Sequence, residues 1–153
     1  MKKLISLITA VLFSNITNAQ QLNNDGKYIT TDNELFSGTI TSSHDGVKTQ
    51  LTVKDGEVTG AATYFYASGK IMETGTFLNG KRDQEWIRYS ESGTKLAVAF
   101  YNAGKKTGTW LVFDDNGNKR FEMNYSDGEK SGKWTSWDEN GVVVNTKDYS
   151  ITN

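Results

Sequence analysis

Short runs of aromatic and β-branched residues alternate with polar, glycine-containing clusters along most of the chain. Trp110 to Phe113 and Phe121 to Tyr125 are two such runs, each bounded by turn-forming residues. This composition is typical of strands, and Asn-Gly or Asp-Gly between runs favours hairpin turns because glycine readily takes positive φ. Residues 20–153 show no sustained helical period. The pattern therefore predicts an all-β chain whose roughly ten short strands form an antiparallel meander.

Glycines recur every 24 residues, which indicates an internal repeat. Two columns keep this spacing and are expected in hairpin turns: Gly56, Gly80, Gly104, Gly128 and Gly69, Gly93, Gly117, Gly141. A third column has one departure: Gly60, Gln84, Gly108, Gly132. Of the remaining glycines, Gly38 and Gly46 fit the degenerate first unit, and Gly26 and Gly75 are left over. We divide the chain into a lead-in at 20–34 and an elongated repeat domain at 35–153, with units at 35–56 (degenerate), 57–80, 81–104, 105–128 and 129–153.

Three aromatic columns follow the same 24-residue step. They are Trp86, Trp110, Trp134; then Phe77, Tyr101, Tyr125, Tyr149; then Phe65, Tyr89, Phe113, Trp137. With an even-numbered hairpin loop, Trp86 opposes Ala99 and Tyr89 opposes Leu96, which puts the first two columns on one face and the third on the other. The rings either stack unit on unit or form an exposed strip. The candidate partner-binding residues of such a strip are Trp86, Trp110, Trp134, Tyr101 and Tyr125.

The best copy of the repeat reads Gly-Thr-Trp-Leu-Val-Phe-Asp-Asp-Asn-Gly at 108–117, followed by Tyr125 and Gly128. This pattern resembles the MORN-repeat variant, over 57–153 well and over 35–56 weakly. The resemblance implies a β-hairpin array that serves as a binding or scaffolding surface without catalytic residues. Similar repeats occur in exported bacterial proteins and in proteins labelled as antitoxin components of toxin–antitoxin modules.

The N-terminus carries the three parts of a secretory signal peptide. Met1 to Lys3 is positively charged, Leu4 to Phe13 is mostly apolar, and Thr17-Asn18-Ala19 offers small residues before a cleavage site. The apolar stretch is shorter than the roughly 20 residues that span a bilayer. We therefore expect residues 1–19 to be removed, leaving no integral membrane segment, and the protein to be periplasmic or extracellular.

Composition argues against several kinds of chemistry. The net charge of −1 gives no electrostatic reason to expect nucleic acid as a partner. The chain has no cysteine and one histidine, His44, which we assign to a turn, so we expect no cofactor and no zinc site. The acidic clusters at 114–118 and 138–141 fit turns better than calcium loops. A single-layer sheet is also expected to offer no cleft for paired catalytic carboxylates, and we predict no enzyme activity.

Basic residues recur near one set of turns, as Lys81-Arg82, Lys105-Lys106 and Lys130 with Lys133. We interpret them as solvated edge charges that oppose strand-to-strand aggregation, the alternative being contact with a membrane surface or an anionic polymer. Val142 to Val144 is expected to form an exposed edge, and the oligomeric state stays open.

The function that these features favour is a non-catalytic exported module that binds or scaffolds another protein. One alternative is binding of cell-wall polymer or carbohydrate through the aromatic columns. A second alternative is an antitoxin-like component that neutralises a partner toxin.

Overall fold

The computed structural model describes residues 21–150, and the predicted signal peptide at 1–19 lies outside them. Every regular element in this range is a β-strand, and the strands follow one another along the chain. They are β1 (Gln21–Leu22), β2 (Tyr28–Ile29), β3 (Gly38–His44), β4 (Val47–Lys54), β5 (Glu57–Phe65), β6 (Ile71–Leu78), β7 (Lys81–Tyr89), β8 (Lys95–Asn102), β9 (Lys105–Phe113), β10 (Lys119–Ser126), β11 (Glu129–Trp137) and β12 (Val143–Asp148).

Strands β3 to β12 form one ten-stranded antiparallel sheet in which each strand pairs with its neighbours in sequence. Strands β1 and β2 form a separate two-stranded hairpin. The predicted all-β meander of hairpin repeats is therefore confirmed. Within residues 21–150 no helix is long and apolar enough to cross a bilayer.

One end of the sheet is closed by two-residue turns with Asp-Gly, Asn-Gly or Ala-Gly at their centre. Both central residues have positive φ, for example 50° at Asp55 and 79° at Gly56, or 47° at Ala103 and 88° at Gly104. These are the angles of type I′ turns, whose twist matches that of the flanking strands. The structure places Gly80 and Gly128 in turns of the same kind.

The other end has five-residue loops that contain the second glycine column: Gly69, Gly93, Gly117 and Gly141. In the loop at 90–94, the Ser90 N–H donates to the Thr94 carbonyl and the Gly93 N–H donates to the Ser90 carbonyl. Because this loop is odd-numbered, Tyr89 pairs with Lys95, and the predicted Tyr89–Leu96 pair is wrong. Leu96 is left unpaired as a bulge that restores the register, so the predicted Trp86–Ala99 pair is confirmed.

The third glycine column marks a register shift inside the odd-numbered strands β5, β7, β9 and β11. Gly60, Gly108 and Gly132 have φ of 73°, 62° and 52° there. Gln84 has φ of 58° at the corresponding position. The unit that departs in sequence therefore keeps the backbone of its neighbours, at the steric cost of a side chain in the left-handed region.

The lead-in forms a hairpin of its own and packs against the first repeats. Its loop at 23–27 has the hydrogen bonds of the five-residue loops, with Gly26 at φ 73°. The Tyr28 N–H donates to the Gly56 carbonyl at 2.8 Å, and the Gly56 N–H donates to the Phe36 carbonyl at 2.8 Å. Four of the six buried apolar side chains lie at this end of the sheet: Ile29, Ile40, Val53 and Ala62.

Candidate functional site

The first two aromatic columns meet on one face of the sheet, which we call the aromatic face. Their rings alternate along an aromatic ladder: Phe77, Trp86, Tyr101, Trp110, Tyr125, Trp134 and Tyr149. Contacting rings in this ladder have centroids 5.0 to 5.2 Å apart. The prediction that these two columns share a face is confirmed, and each contact adds about 0.5–1.5 kcal/mol beyond area burial.

Each indole of the ladder is held by a hydrogen bond to the preceding strand. The Nε1–H groups of Trp86, Trp110 and Trp134 donate to backbone carbonyls ten residues earlier, at 3.1, 3.0 and 2.8 Å. Trp86 is the most buried of the three, with 1% of its surface exposed, because it lies directly on Gly75. A Cβ atom at Gly75 would be 2.1 Å from the Trp86 ring. Gly75, which the repeat does not explain, is thus required by close packing.

Three basic side chains, one from each of three units, lie over the rings. The Arg82 guanidinium is 3.8 Å from the Trp86 ring centroid, and the Lys106 and Lys130 Nζ atoms are 4.5 and 4.6 Å from those of Trp110 and Trp134. These distances are within cation–π range. The interpretation as solvated edge charges is therefore wrong for Arg82 and Lys106, which are half-buried against rings, and holds in part for Lys130, which is exposed while contacting its ring. It holds for their neighbour Lys105, which forms an exposed ion pair with Asp127.

Arg82 is fixed most firmly of the three, because its guanidinium also forms a two-pronged ion pair. Its Nη1 and Nη2 atoms lie 2.9 and 3.1 Å from the two carboxylate oxygens of Glu73. Burial acts to lower the pKa of Arg82, but hydrogen bonds and charge interactions with Glu73, and with Tyr101 to a smaller extent, together outweigh it, so the pKa is raised. The guanidinium also lies 5.7 Å from the Tyr101 ring, so it links Trp86 to the next part of the ladder.

The third aromatic column lies on the opposite face, as the register predicts. Its rings also have basic neighbours: Lys48 Nζ lies 5.7 Å from the Phe65 centroid and Lys119 Nζ lies 4.3 Å from that of Trp137. Lys119 is held by Glu122 at 2.7 Å. Basic and acidic groups are mixed on this face, so it carries no comparable concentration of one sign.

The aromatic face is strongly basic between β6 and β12. The strand register puts five basic residues and one carboxylate, Glu73, on it. The five are Arg82, Arg88, Lys106, Lys130 and Lys147. Since the whole chain has a net charge of −1, positive charge is concentrated here.

A shallow depression of 340 Å³ runs beside the ladder on this face. Its floor is formed by Ala97, Ala99, Val112 and Met123, which are small or flexible apolar side chains. Phe121 lies on the same face, 47% exposed. Sequence reasoning missed these residues because they do not recur at the 24-residue step. Strand alternation, counted from Trp110 to Val112 and from Tyr125 to Phe121, was the signal that could have found them.

Comparison with known protein families supports the repeat. The family model described as MORN repeat variant matches residues 58–79, 106–127 and 130–150. The chain carries MORN-variant segments at three places. A search of the curated proteins found no match to this chain.

The MORN-variant match omits the unit at 81–104, although its strands pair as those of its neighbours do. That unit has Gln84 in place of the usual glycine and Ala103 in place of an aspartate or asparagine before Gly104. Both residues take the positive φ of their counterparts. Backbone geometry therefore identifies a repeat that the family model passes over.

The acidic loops of the MORN-variant segments serve the backbone. Asp114 accepts hydrogen bonds from the N–H groups of Asn116 and Asn118, at 3.0 and 2.9 Å, and forms an ion pair with Arg120. The hydrogen bond from Asn118 is the main reason that the pKa of Asp114 is lowered. The predicted turn role is thereby confirmed. In residues 21–150 no group of three histidine, aspartate or glutamate side chains could hold a metal ion.

A larger pocket of 610 Å³ lies where the lead-in packs against the first MORN-variant segment. Its apolar wall contains Leu22, Tyr28, Leu51, Val58, Tyr64 and Phe77. Burial raises the pKa of both Tyr28 and Tyr64, so both phenols stay neutral. The expectation that a single-layer sheet offers no cleft is wrong here, because the lead-in adds a second wall to the sheet.

Proposed function

We propose that this chain is an exported, non-catalytic protein that binds the acidic surface of another protein through its aromatic face. Repeats of the MORN variant are commonly protein-binding modules. The observation that carries the proposal is the concentration of five basic side chains around an apolar floor, on a chain whose net charge is −1. Complementary charge both steers a partner to this face and discriminates against basic surfaces.

The ladder supports such binding by making the surface rigid. Arg82, Lys106 and Lys130 are already held over rings, so they lose less side-chain entropy on binding than free surface residues would. Arginine beside aromatic and apolar groups is a frequent anchor at protein interfaces. Arg88 adds an exposed guanidinium that extends from the same face.

The same geometry argues against carbohydrate binding through the columns. Sugars stack on open ring faces, whereas basic side chains lie over the Trp86, Trp110 and Trp134 rings within 3.8 to 4.6 Å of their centroids. The ring edges are occupied by neighbouring rings of the ladder. The antitoxin-like function is a special case of protein binding and would require a toxin as the partner.

The test is capture of partners by the tagged full-length chain from envelope and secreted fractions. Arg88→Glu reverses one exposed charge on the aromatic face, and Lys95→Glu is the matched control on the opposite face. We expect Arg88→Glu to lower retention of an acidic protein at least tenfold and Lys95→Glu to leave it within twofold. Equal retention by both variants, or retention only of insoluble wall polymer, would contradict the proposal.

Export is tested separately by fractionating cells that express the full-length chain. We expect the protein outside the cytoplasm with Gln20 as its first residue, because residues 1–19 carry the signal-peptide pattern. Protein retained in the cytoplasm with residues 1–19 intact would exclude export.

A further inference from the structure

The aromatic ladder ends in the unit at 57–80, which contributes Phe77 and no indole. Ala62 stands where later units have Trp86, Trp110 and Trp134, and Val58 stands where they have Arg82, Lys106 and Lys130. Both the indole and its cation are therefore replaced by small apolar side chains in this one unit. The 610 Å³ pocket opens beside Val58 and is lined by Leu51 and Phe77, whereas Ala62 itself is buried.

The pocket walls correspond to the surroundings of an indole in the later units. Leu51 is equivalent by the 24-residue step to Gly75, Ala99 and Met123, the last a side chain of similar size, and Val58 is equivalent to Arg82. Phe77 takes the place that Tyr125 has next to Trp110, where the ring centroids are 5.0 Å apart. The repeat itself thus shows which chemical group this environment accommodates.

The lead-in closes the pocket on its remaining side. Leu22 and Tyr28 contribute apolar surface, and the charged residues of the lining are Asp25 and the Lys27–Glu57 ion pair, at 3.3 Å. The volume falls within the roughly 300–1,000 Å³ that is typical of ligand sites, and its lining is mostly apolar as in such sites. No basic residue occupies the Val58 position, so the pocket suits a neutral ring rather than an anion.

We propose that this pocket receives an aromatic side chain of the bound protein, which inserts between Val58 and Phe77 and continues the ladder by one ring. This inference rests on the proposed function, because it specifies the chemistry of one anchor of the partner. Aromatic anchors in desolvated pockets are the side chains that contribute most to protein–protein affinity. The lead-in and the first repeats together then define a specificity site at one end of the basic surface.

The pocket is tested with N-acetyl-L-tryptophanamide as the probe and the full-length chain as the receptor. We expect saturable NMR shifts confined to the amides of Gly56, Val58 and Gly80, and at least fivefold weaker binding of N-acetyl-L-leucinamide. Val58→Phe fills the pocket and should lower probe affinity at least tenfold, with Leu22→Trp as a second filling variant at the rim. Equal binding of both probes, or probe binding unchanged in both folded variants, would overturn the assignment.

Partner capture distinguishes this inference from the proposed function. We expect Val58→Phe to weaken capture of the acidic partner at least fivefold, whereas Arg88→Glu should weaken capture at least tenfold and leave probe binding within twofold. If Val58→Phe loses the probe and still captures the partner fully, the pocket is no anchor site and the inference fails alone. If neither the native chain nor its variants capture an acidic protein, the proposed function fails, whatever the probe does.

Discussion

Replacing Gly75 with alanine puts a methyl group where the Trp86 ring now lies. The added Cβ would be 2.1, 2.3 and 2.6 Å from three ring atoms. Carbon atoms without a bond between them prefer separations of about 3.5–4.0 Å, so the overlap exceeds 1 Å at the closest atom. Gly75 lies in a central strand paired on both sides, and the backbone there cannot withdraw without breaking ladder hydrogen bonds.

Trp86 must therefore leave its site, and the structure sets the cost. The displaced ring loses its hydrogen bond to the Thr76 carbonyl, worth about 0.5–1.5 kcal/mol, and its Phe77 contact, worth a similar amount. Exposure of a large apolar side chain adds about 1.5–3 kcal/mol. Because partial relaxation recovers some of this, we expect Gly75→Ala to lower the free energy of unfolding by about 3 kcal/mol, in the upper range of overpacking substitutions.

The assay is urea unfolding followed by circular dichroism, arranged as a double-mutant cycle. Trp86→Ala alone should cost about 3–5 kcal/mol. In that background Gly75→Ala should be neutral or stabilising by up to about 1 kcal/mol, because alanine restricts the unfolded chain. Ala99→Gly, at the equivalent position beneath Trp110, is the control and should cost only about 0.5–1 kcal/mol. A cost of Gly75→Ala that persists without Trp86 would refute the steric explanation.

Three further outcomes are expected. Gln84→Gly should raise the free energy of unfolding by about 1 kcal/mol, because Gln84 has φ of 58° and a side chain at that angle costs about 1–2 kcal/mol. Thermal unfolding measures the effect, and a lower melting temperature of the variant would contradict it. Glu73→Gln should lower the free energy of unfolding by about 1 kcal/mol, a value discounted because the ion pair of Glu73 with Arg82 is partly exposed. This loss should shrink in high salt, and a loss independent of salt would exclude a charge effect. Burial raises the pKa of Tyr64 and Tyr125, so their contribution to stability is complete below the ordinary tyrosine pKa of about 10 and is lost as pH rises through the raised folded values. Absorbance titration should show phenols that ionise above this pKa, and the Tyr125→Phe variant should lose one of them; titration of every tyrosine at its ordinary pKa would contradict the assignment.

Most of the fold could be predicted from the 24-residue period, because each glycine column corresponds to one recurrent backbone conformation. The period could not predict that the loop at 90–94 has an odd number of residues, or that the bulge at Leu96 then restores the strand register. Spacing alone also treats Lys105 and Lys106 as one basic cluster. Strand alternation separates them, since Lys106 lies over the Trp110 ring and Lys105 pairs with Asp127.

Features confined to one unit could not be predicted from the sequence, for a different reason. Gly75 matters only because one indole lies on it, and no second glycine marks that position in the other units. The lead-in shares the loop geometry of the repeats without their spacing, so its docking through Tyr28 and Gly56 appears only in the folded chain. Both pocket and depression arise from such non-recurrent residues, which is why periodicity predicted a scaffold without a cleft.

The basic residues of the aromatic face divide into two groups, and the division decides which of them can report on binding. Arg82, Lys106 and Lys130 cover rings of the ladder, so their removal disturbs packing and partner recognition together. Arg88 lies on the same face, exposed and outside the ladder. A charge reversal there removes no ring contact, although it places a second carboxylate directly across from Glu73, the ion-pair partner of Arg82. If Arg88→Glu no longer captures the partner and its free energy of unfolding is unchanged, the effect lies in partner recognition and not in folding. The ladder residues cannot give this separation, because they contribute to both.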